Sequence, residues 1–232
     1  MRLAIMQPYF FPYIGYFQLI NAVNKFVFYD DVNYIKGGWI NRNNILVNGE
    51  KIYITLNLKE SSSFKKINQI YIIGKTEKLK KTIKQSYSKA PYFDQVFPVI
   101  EEIILYINNS SLISEIAIIS VIKTSEYLGL KTVFEISSDK YYETKSLEKS
   151  ERLIKICKLN NTDTYINSIG GKELYKKETF IKDKIDLFFL QSKITEYEQF
   201  GNDFIPYLSI IDVMMFNSPV EIQEMLNQYK LL

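Results

Sequence analysis

A strand, a loop, a helix and a second strand follow one another within the first thirty residues. Leu3–Met6 and Phe26–Tyr29 have the length of buried strands, and apolar residues recur at helical spacing over Ile14–Val23. A strand–helix–strand crossover makes the two strands parallel, so the loop Gln7–Gly15 and the pair Asp30–Asp31 lie at neighbouring carboxyl ends. The opening therefore predicts an α/β fold with a Rossmann-like parallel sheet and a ligand site at that edge.

The rest of the chain predicts an inserted β-hairpin, a helical stretch and further strands. Asn48 and Gly49 separate two β-rich segments, Trp39–Val47 and Lys51–Leu58, which is a strong hairpin signal. The spacing also predicts strands at 69–73, 131–136, 164–167 and 185–190, the last of which is expected to be the final strand. It predicts helices between 75 and 128, with a break at 108–111, and further helices at 146–159, 205–216 and 220–229. We predict one α/β domain over residues 1–232 with a helical C-terminal part; a subdivision into 1–74 and 75–232 is the alternative.

The chain contains no histidine, which excludes several classes of catalytic site. Ser-His-Asp triads, Cys-His pairs, HExxH zinc sites and facial iron triads all need imidazole. The one cysteine, Cys157, falls in an apolar helical pattern and predicts a buried thiol in a reducing cytoplasm. Acid–base chemistry is left to Asp, Glu, Lys, Tyr or Cys, and charge stabilisation to Lys, Arg, Asn, Gln and backbone amides.

The net charge and the hydropathy of the chain argue against two kinds of partner, DNA and a membrane. The 29 basic and 26 acidic side chains leave a net charge of only +3, which argues against a DNA-binding protein. The apolar runs are shorter than the roughly 18 residues of a membrane span. The sequence predicts a cytoplasmic protein without a membrane partner, and a homo-oligomer is compatible with it. Arginine is scarce, so each arginine is a stronger indication of function than a lysine is. The chain has Arg2, Arg42 and Arg152.

Polar and aromatic residues gather at the predicted edge of the sheet. The loop Gln7–Tyr16 combines prolines with aromatic rings; it can hold a flat ring or a phosphate, or close the sheet as a hydrophobic plug. Asp30 and Asp31 end a strand and point apart, so one is expected to face a ligand, and a strand-end cap is the alternative. The turn at Asn167–Lys172 is a candidate anion-binding turn. Asp212, on an apolar helix, is either a structural hydrogen-bonding group or part of the site.

These residues resemble the WbqC-like family. The match runs through Met6–Ile20, Asp30–Asp31 and Trp39–Asn43, and it continues through Ala90–Phe93, Tyr165–Gly171, Phe180 and Leu208–Asp212. Members lie among genes for O-antigen and other surface-polysaccharide sugars, and the resemblance implies N-acyl (glycine or aminoacyl) transfer to a nucleotide-linked amino sugar. The opening is also similar in layout to the HIGH-motif nucleotidyltransferases and the pantoate-activating ligases, although both HIGH histidines are absent.

Acyl transfer to an amine needs a base and donors to the developing oxyanion, and this assigns candidate roles. The predicted catalytic residues are Asp30, Asp31, Gln7 and Lys36. The predicted substrate-binding residues are Pro8, Tyr9, Tyr13, Gly15, Tyr16, Asn41, Arg42, Asn43, Ser168, Gly170, Gly171 and Asp212. No metal ligand is predicted, and the Asp pair serves equally as a base or as a ligand.

The acyl donor and the reaction class stay open at this point. The donor is an aminoacyl-tRNA, an acyl-CoA or a free amino acid with ATP. The alternatives to a transferase are an ATP- and magnesium-dependent adenylate-forming ligase or nucleotidyltransferase, and a non-catalytic scaffold that binds a nucleotide sugar. A transferase needs two ligand pockets that meet at one carboxylate, whereas a scaffold needs one pocket or an exposed apolar patch.

Overall fold

A computed structural model describes residues 1–108, 111–201 and 203–232. The strands of its main sheet are β1 (Arg2–Met6), β2 (Lys25–Phe28), β5 (Val133–Ile136), β6 (Thr164–Ser168), β7 (Asp186–Ser192) and β8 (Tyr229–Leu231). Over the described residues the sheet has six strands in the order β5-β2-β1-β6-β7-β8, and all neighbours are parallel except β7 and β8. The strand order reverses between β1 and β6, as in doubly wound sheets. The predicted α/β class is confirmed.

Helices cover both faces of the sheet. They are α1 (Ile14–Asn21), α2 (Glu77–Tyr87), α3 (Phe93–Leu105), α4 (Ile113–Tyr127), α5 (Ser137–Lys140), α6 (Lys149–Leu159), α7 (Lys177–Ile181), α8 (Ile210–Phe216) and α9 (Pro219–Leu226). Side chains alternate across the pleat: Leu3 and Ile5 belong to an apolar cluster that includes residues of α6 and α7, whereas Ala4 belongs to the larger cluster that includes residues of α1, α4 and α8. None of the helices in the described ranges is long and apolar enough to cross a membrane.

The predicted hairpin is confirmed as a separate two-stranded sheet. Strands β3 (Arg42–Val47) and β4 (Glu50–Thr55) are antiparallel, with Val47 opposite Glu50. Asn48 and Gly49 form the turn with φ of 51° and 79°, the positive values that a two-residue hairpin of type I′ needs. The hairpin contacts the proline-rich loop, since Asn43 Nδ2 in β3 donates to the Phe11 carbonyl at 2.8 Å. Just before β3, the Trp39 carbonyl accepts from the Phe10 amide at 3.3 Å.

Four predicted elements differ from the structure. Residues 69–73 form no strand: a 3-10 turn occupies Ile67–Gln69, and only single bridges follow. The helix predicted from 146 begins at Lys149. The helix predicted from 205 begins at Ile210, because the Ser209 hydroxyl caps it at the Ile211 amide. The helix predicted to 229 ends at Leu226, and β8 follows, so 185–190 is not the last strand. In the predicted break at 108–111, Asn109 and Ser110 lie outside the described residues.

Candidate functional site

Three segments singled out in the sequence leave the sheet at one edge. Strand β1 is parallel to β2, with Met6 opposite Phe28, so Gln7 and the Asp30–Asp31 pair emerge on the same side. Strand β6 runs parallel to β1 on its other side, and the Ser168 hydroxyl lies 4.0 Å from the Met6 sulfur. The predicted juxtaposition at the carboxyl edge is therefore confirmed.

The two aspartates share a network of hydroxyl and amide donors. Asp30 Oδ1 accepts from the Ser137 hydroxyl and the Ser138 amide, both at 3.0 Å, and Asp30 Oδ2 accepts from the Ser138 hydroxyl at 2.6 Å. Asp31 Oδ1 lies 2.5 Å from the same Ser137 hydroxyl. One hydroxyl carries one hydrogen, so Ser137 donates to one carboxylate at a time. Asp30 thus caps the start of α5 and is joined to Asp31 through a single proton donor.

Arg152 completes this network from helix α6. Its Nη2 lies 2.5 Å from Asp31 Oδ2, and only 4% of the arginine side chain and 13% of the aspartate side chain are exposed. Its Nε donates to the Thr144 hydroxyl at 3.1 Å, and its guanidinium lies 4.9 Å from the centre of the Tyr29 ring. Arg152 was not among the residues predicted to form the site. The scarcity of arginine in the sequence was the feature that could have indicated its role.

Two cavities of opposite character meet at the aspartate pair. The first, which we call the cationic cavity, has a volume of about 890 Å³, and its charged lining has four cations and two carboxylates: Lys66, Lys145, Lys149, Arg152, Asp31 and Glu148. The second, the Asp30 cavity, measures about 710 Å³ and combines Asp30, Glu115 and Asp139 with serines and isoleucines. Asn68 and Ser138 line both. The carboxylate pair therefore stands between two adjoining spaces.

The proline-rich loop is held in a strained conformation by buried side chains. Phe11 has a φ of 41°, which is unusual for a bulky residue. Its amide donates to the Ser120 hydroxyl at 3.1 Å, and its carbonyl accepts from the Ser209 hydroxyl and from Asn43 Nδ2, each at 2.8 Å. The buried Tyr16 hydroxyl donates to the Gln7 carbonyl at 2.8 Å. Asn43 and Tyr16 thus fix the loop in this structure.

A third cavity, the aromatic cleft, lies between this loop and the hairpin. It measures about 300 Å³ and is lined by Tyr9, Pro12, Tyr13, Trp39, Asn43, Lys51 and Tyr207. Burial and the nearby Tyr13 raise the pKa of Tyr9 to about 12, so its hydroxyl stays protonated at neutral pH. A Cβ at Gly15 would lie 2.3 Å from the Tyr13 ring, so a larger residue there would displace that ring from its present position.

Several predicted residues lie outside these three cavities. Arg42 donates to the Gly37 and Gly38 carbonyls and lies 4.7 Å from the centre of the Tyr53 ring. Asn41 donates to the Leu56 carbonyl and accepts from the Tyr34 hydroxyl. Gly15 and Tyr16 of the proline-rich loop and Asp212 also lie outside them. The remaining ones are Gln7, which is half-buried; Pro8, which is buried; Lys36, which is exposed; Ser168, which ends β6; and Gly170 and Gly171, which follow it.

Asp212 forms a buried centre of hydrogen bonds away from the three cavities. It accepts from the Tyr87 hydroxyl at 2.7 Å, the Tyr197 hydroxyl at 2.6 Å and Gln199 Nε2 at 2.7 Å. Burial raises its pKa, although all three donors oppose that shift. Of the two alternatives that the sequence left open, this geometry favours the structural hydrogen-bonding group.

Neither a thiol nucleophile nor a metal cluster is formed by the described residues. Cys157 is buried, as predicted, and burial raises its pKa to about 12, so the thiol stays protonated. Across residues 1–108, 111–201 and 203–232, no three Asp, Glu or Cys side chains are grouped so that they could hold a metal ion. The oxygens of Asp30 and Asp31 face serine hydroxyls, an amide and a guanidinium instead.

The chain thus has an α/β fold, and cavities lie next to the Asp30–Asp31 pair at the carboxyl edge of its sheet. The chain belongs to the WbqC-like protein family, whose sequence model matches residues 7–224, and the resemblance seen in the motifs is thereby confirmed. It is also similar to the uncharacterized protein Rv1507c of Mycobacterium tuberculosis (strain ATCC 25618 / H37Rv), at 29% identity over 227 residues and 95% of each chain. No solved structure matches it.

Proposed function

We propose that this protein transfers an acyl group, glycyl or another aminoacyl, to the amine of a nucleotide-linked amino sugar for surface-polysaccharide (O-antigen, lipopolysaccharide) biosynthesis. The observation that carries the proposal is the meeting of two cavities at the Asp30–Asp31 pair. A transferase has to bring an acceptor and a donor to one group from two sides. A scaffold that only binds a nucleotide sugar needs a single pocket.

The cationic cavity suits the nucleotide diphosphate. Asp31 pairs with Arg152, and Glu148 is the other carboxylate in the lining. Lys66, Lys145 and Lys149 outnumber Glu148, so the cavity keeps a net positive charge that attracts phosphate oxygens. The Lys145 ammonium lies 3.6 Å from the centre of the Tyr142 ring, so an aromatic surface adjoins the cations. One cavity of about 890 Å³ thus offers cations for the phosphates, side-chain amides for the sugar hydroxyls and an aromatic ring for the base.

The amine of the sugar belongs at Asp31. Each oxygen of this carboxylate has one partner and keeps a second lone pair, so it can bind an ammonium and accept its proton. The freed nitrogen lone pair then forms the bond to the acyl carbon, while the leaving group departs with the electrons of its own bond to that carbon. The Ser137 hydroxyl links Asp31 to Asp30 and offers the proton a route between the two cavities.

The Asp30 cavity suits an acyl group that carries an amine of its own. Glu115 and Asp139 place negative charge in it, and Ile116, Ile119 and Ile136 give it apolar walls. A glycyl or other aminoacyl group has a cationic nitrogen and little bulk, and both features match this lining. The charge of the cavity supports an aminoacyl donor over a simple fatty acyl donor.

Ligand binding provides the first test. We expect a UDP- or dTDP-linked amino sugar to raise the melting temperature, since a ligand at a hundred times its Kd adds about 2.7 kcal/mol to stability. Because each lysine makes a charge-assisted contact, Lys145→Ala and Lys149→Ala are each expected to weaken this binding about tenfold. Lys155→Ala serves as the matched control, since Lys155 is exposed on helix α6 and does not line the cavity.

The same screen contains the results that would contradict the proposal. A stabilising effect of ATP with magnesium, and none of the nucleotide amino sugars, would indicate an adenylate-forming ligase or nucleotidyltransferase. Equal binding of nucleotide sugars with and without the amine, together with no acylated product by mass spectrometry from any of the three donor classes, would indicate a scaffold.

A further inference from the structure

The aromatic cleft is separate from the two cavities that the transfer reaction uses. We propose that it binds the adenine ring and a phosphate of the acyl donor. The inference rests on the proposed function and deepens it, because it assigns the part of the donor that all three open alternatives share.

The cleft presents ring faces to solvent in a concave arrangement. Trp39 is 41% exposed and Tyr207 is 60% exposed, although both are large aromatic residues. The Tyr13 and Tyr207 rings lie 6.3 Å apart and are tilted by 57°, so they are not stacked on each other. The Trp39 ring has a tilted aromatic neighbour, Tyr53, at 6.3 Å and 32°. Trp39 and Tyr207 thus both keep exposed ring surface that can stack on a planar ligand.

The backbone conformation and its hydrogen bonds fix the position of these rings. Tyr207 has a φ of 59°, a region that side chains of this size seldom adopt. Two adjacent contacts anchor its segment: the Ser209 amide donates to the Asn44 carbonyl, and the Ile210 amide donates to the Pro12 carbonyl, both at 2.8 Å. The same contacts join the loop, the hairpin and the start of α8, so the walls of the cleft are fixed relative to one another.

One cation accompanies the rings. Lys51 is the charged side chain among the described residues that line the cleft, and its ammonium donates to the Pro206 carbonyl at 3.3 Å. A weak contact of this kind is readily exchanged for a phosphate oxygen, which binds an ammonium through a charge-assisted hydrogen bond. The cleft thus fits an aromatic ring that carries an anionic group on one side.

The acyl-transfer reaction needs a ligand with an aromatic ring and an anionic group, and an adenine nucleotide has both. An acyl-CoA, an amino acid activated with ATP and an aminoacyl-tRNA all contain an adenosine next to a phosphate. In the proposed function, the base of the sugar nucleotide occupies the cationic cavity, which Tyr142 lines. With a volume of about 300 Å³, the cleft lies at the small end of ligand sites and accommodates one ring system with its substituent.

Trp39 supplies a direct readout, because it is the single tryptophan of the chain. We expect AMP to quench its fluorescence saturably, and Tyr207→Ala to weaken AMP at least about tenfold through the loss of stacking. Lys51→Gln is expected to weaken AMP about fivefold and to leave adenosine unchanged, since it removes only the phosphate contact. Lys59→Gln, at an exposed lysine of the same region, is the matched control and is expected to change neither.

Three outcomes would overturn the inference. They are no saturable quenching by AMP, ATP or CoA; quenching that survives both Tyr207→Ala and Lys51→Gln; and tighter quenching by UDP than by AMP. Comparison of ATP, CoA and a cytidyl-cytidyl-adenosine trinucleotide identifies the source of the adenosine. Failure here is distinguishable from failure of the proposed function, because nucleotide amino sugars are expected to stabilise the protein through Lys145 and Lys149 in either case.

Discussion

Asp212→Ala is expected to destabilise the protein by about 4 kcal/mol, measured by urea denaturation followed by circular dichroism. The change leaves the Tyr87 hydroxyl, the Tyr197 hydroxyl and Gln199 Nε2 without the acceptor that they share. A buried donor that loses its partner costs about 1–3 kcal/mol. Gln199 Nε2 keeps the Ile205 carbonyl as an acceptor at 3.3 Å, so the two tyrosine hydroxyls account for the expected loss.

Single phenylalanine variants serve as the matched comparison. Tyr197→Phe removes one of the three hydrogen bonds to Asp212, together with the longer one of 3.3 Å from Gln199 Nε2 to the Tyr197 hydroxyl. It leaves the other two donors to Asp212 in place, so we expect a loss of only about 1 kcal/mol. A cost of Asp212→Ala no greater than that of Tyr197→Phe would show that the carboxylate does not organise this part of the core.

The stability that Asp212 contributes is also expected to depend on pH. Burial raises its pKa in the folded protein, so the folded state holds this proton more tightly than the unfolded state does. Stability from this group is therefore full below the unfolded pKa of about 3.9 and falls as the pH rises through the folded pKa. The difference in unfolding free energy between wild type and Asp212→Asn should show that fall; a difference that is flat or rises with pH would contradict it.

The sheet and its functional edge could be predicted because their signals are local. Apolar alternation and helical spacing define β1, α1 and β2 within thirty residues, and the handedness rule then brings Gln7 and the Asp30–Asp31 pair to the same edge. The turn at Asn48–Gly49 was equally local. Element ends were less predictable: the cap at Ser209 and the change to β8 depend on contacts with distant segments.

The partners of polar side chains could not be predicted, because they depend on tertiary contacts. Asn43 was expected to bind a ligand, yet its amide holds the Phe10 and Phe11 carbonyls, 33 and 32 residues away. Arg152 lies 121 residues from Asp31, and no spacing rule links the two. A sequence shows that such residues need a partner, whereas the fold decides between a ligand, a backbone carbonyl and a counter-charge.

Arg152→Leu is expected to cost about 3–5 kcal/mol of stability, because it leaves Asp31 as a nearly buried carboxylate without its counter-charge. The ion pair of Lys158 with Asp183 provides the control on the same helix. Its lysine side chain is 52% exposed, so Lys158→Ala is expected to change the unfolding free energy by less than about 1 kcal/mol. Equal effects of the two substitutions in urea denaturation would show that the Arg152 pair behaves as an ordinary surface pair.

The double variant Arg152→Leu with Asp31→Asn separates the structural role of the pair from its role in the site. It removes both charges together, so most of the stability lost in Arg152→Leu is expected to return. The double variant keeps Lys66, Lys145 and Lys149 in the cationic cavity, so nucleotide phosphates should still bind to it. It lacks the carboxylate that we assign to the amine. We therefore expect it to bind nucleotide sugars with and without an amino group equally, whereas the wild type prefers the amino sugar; an undiminished preference in the stable double variant would remove Asp31 from the acceptor site.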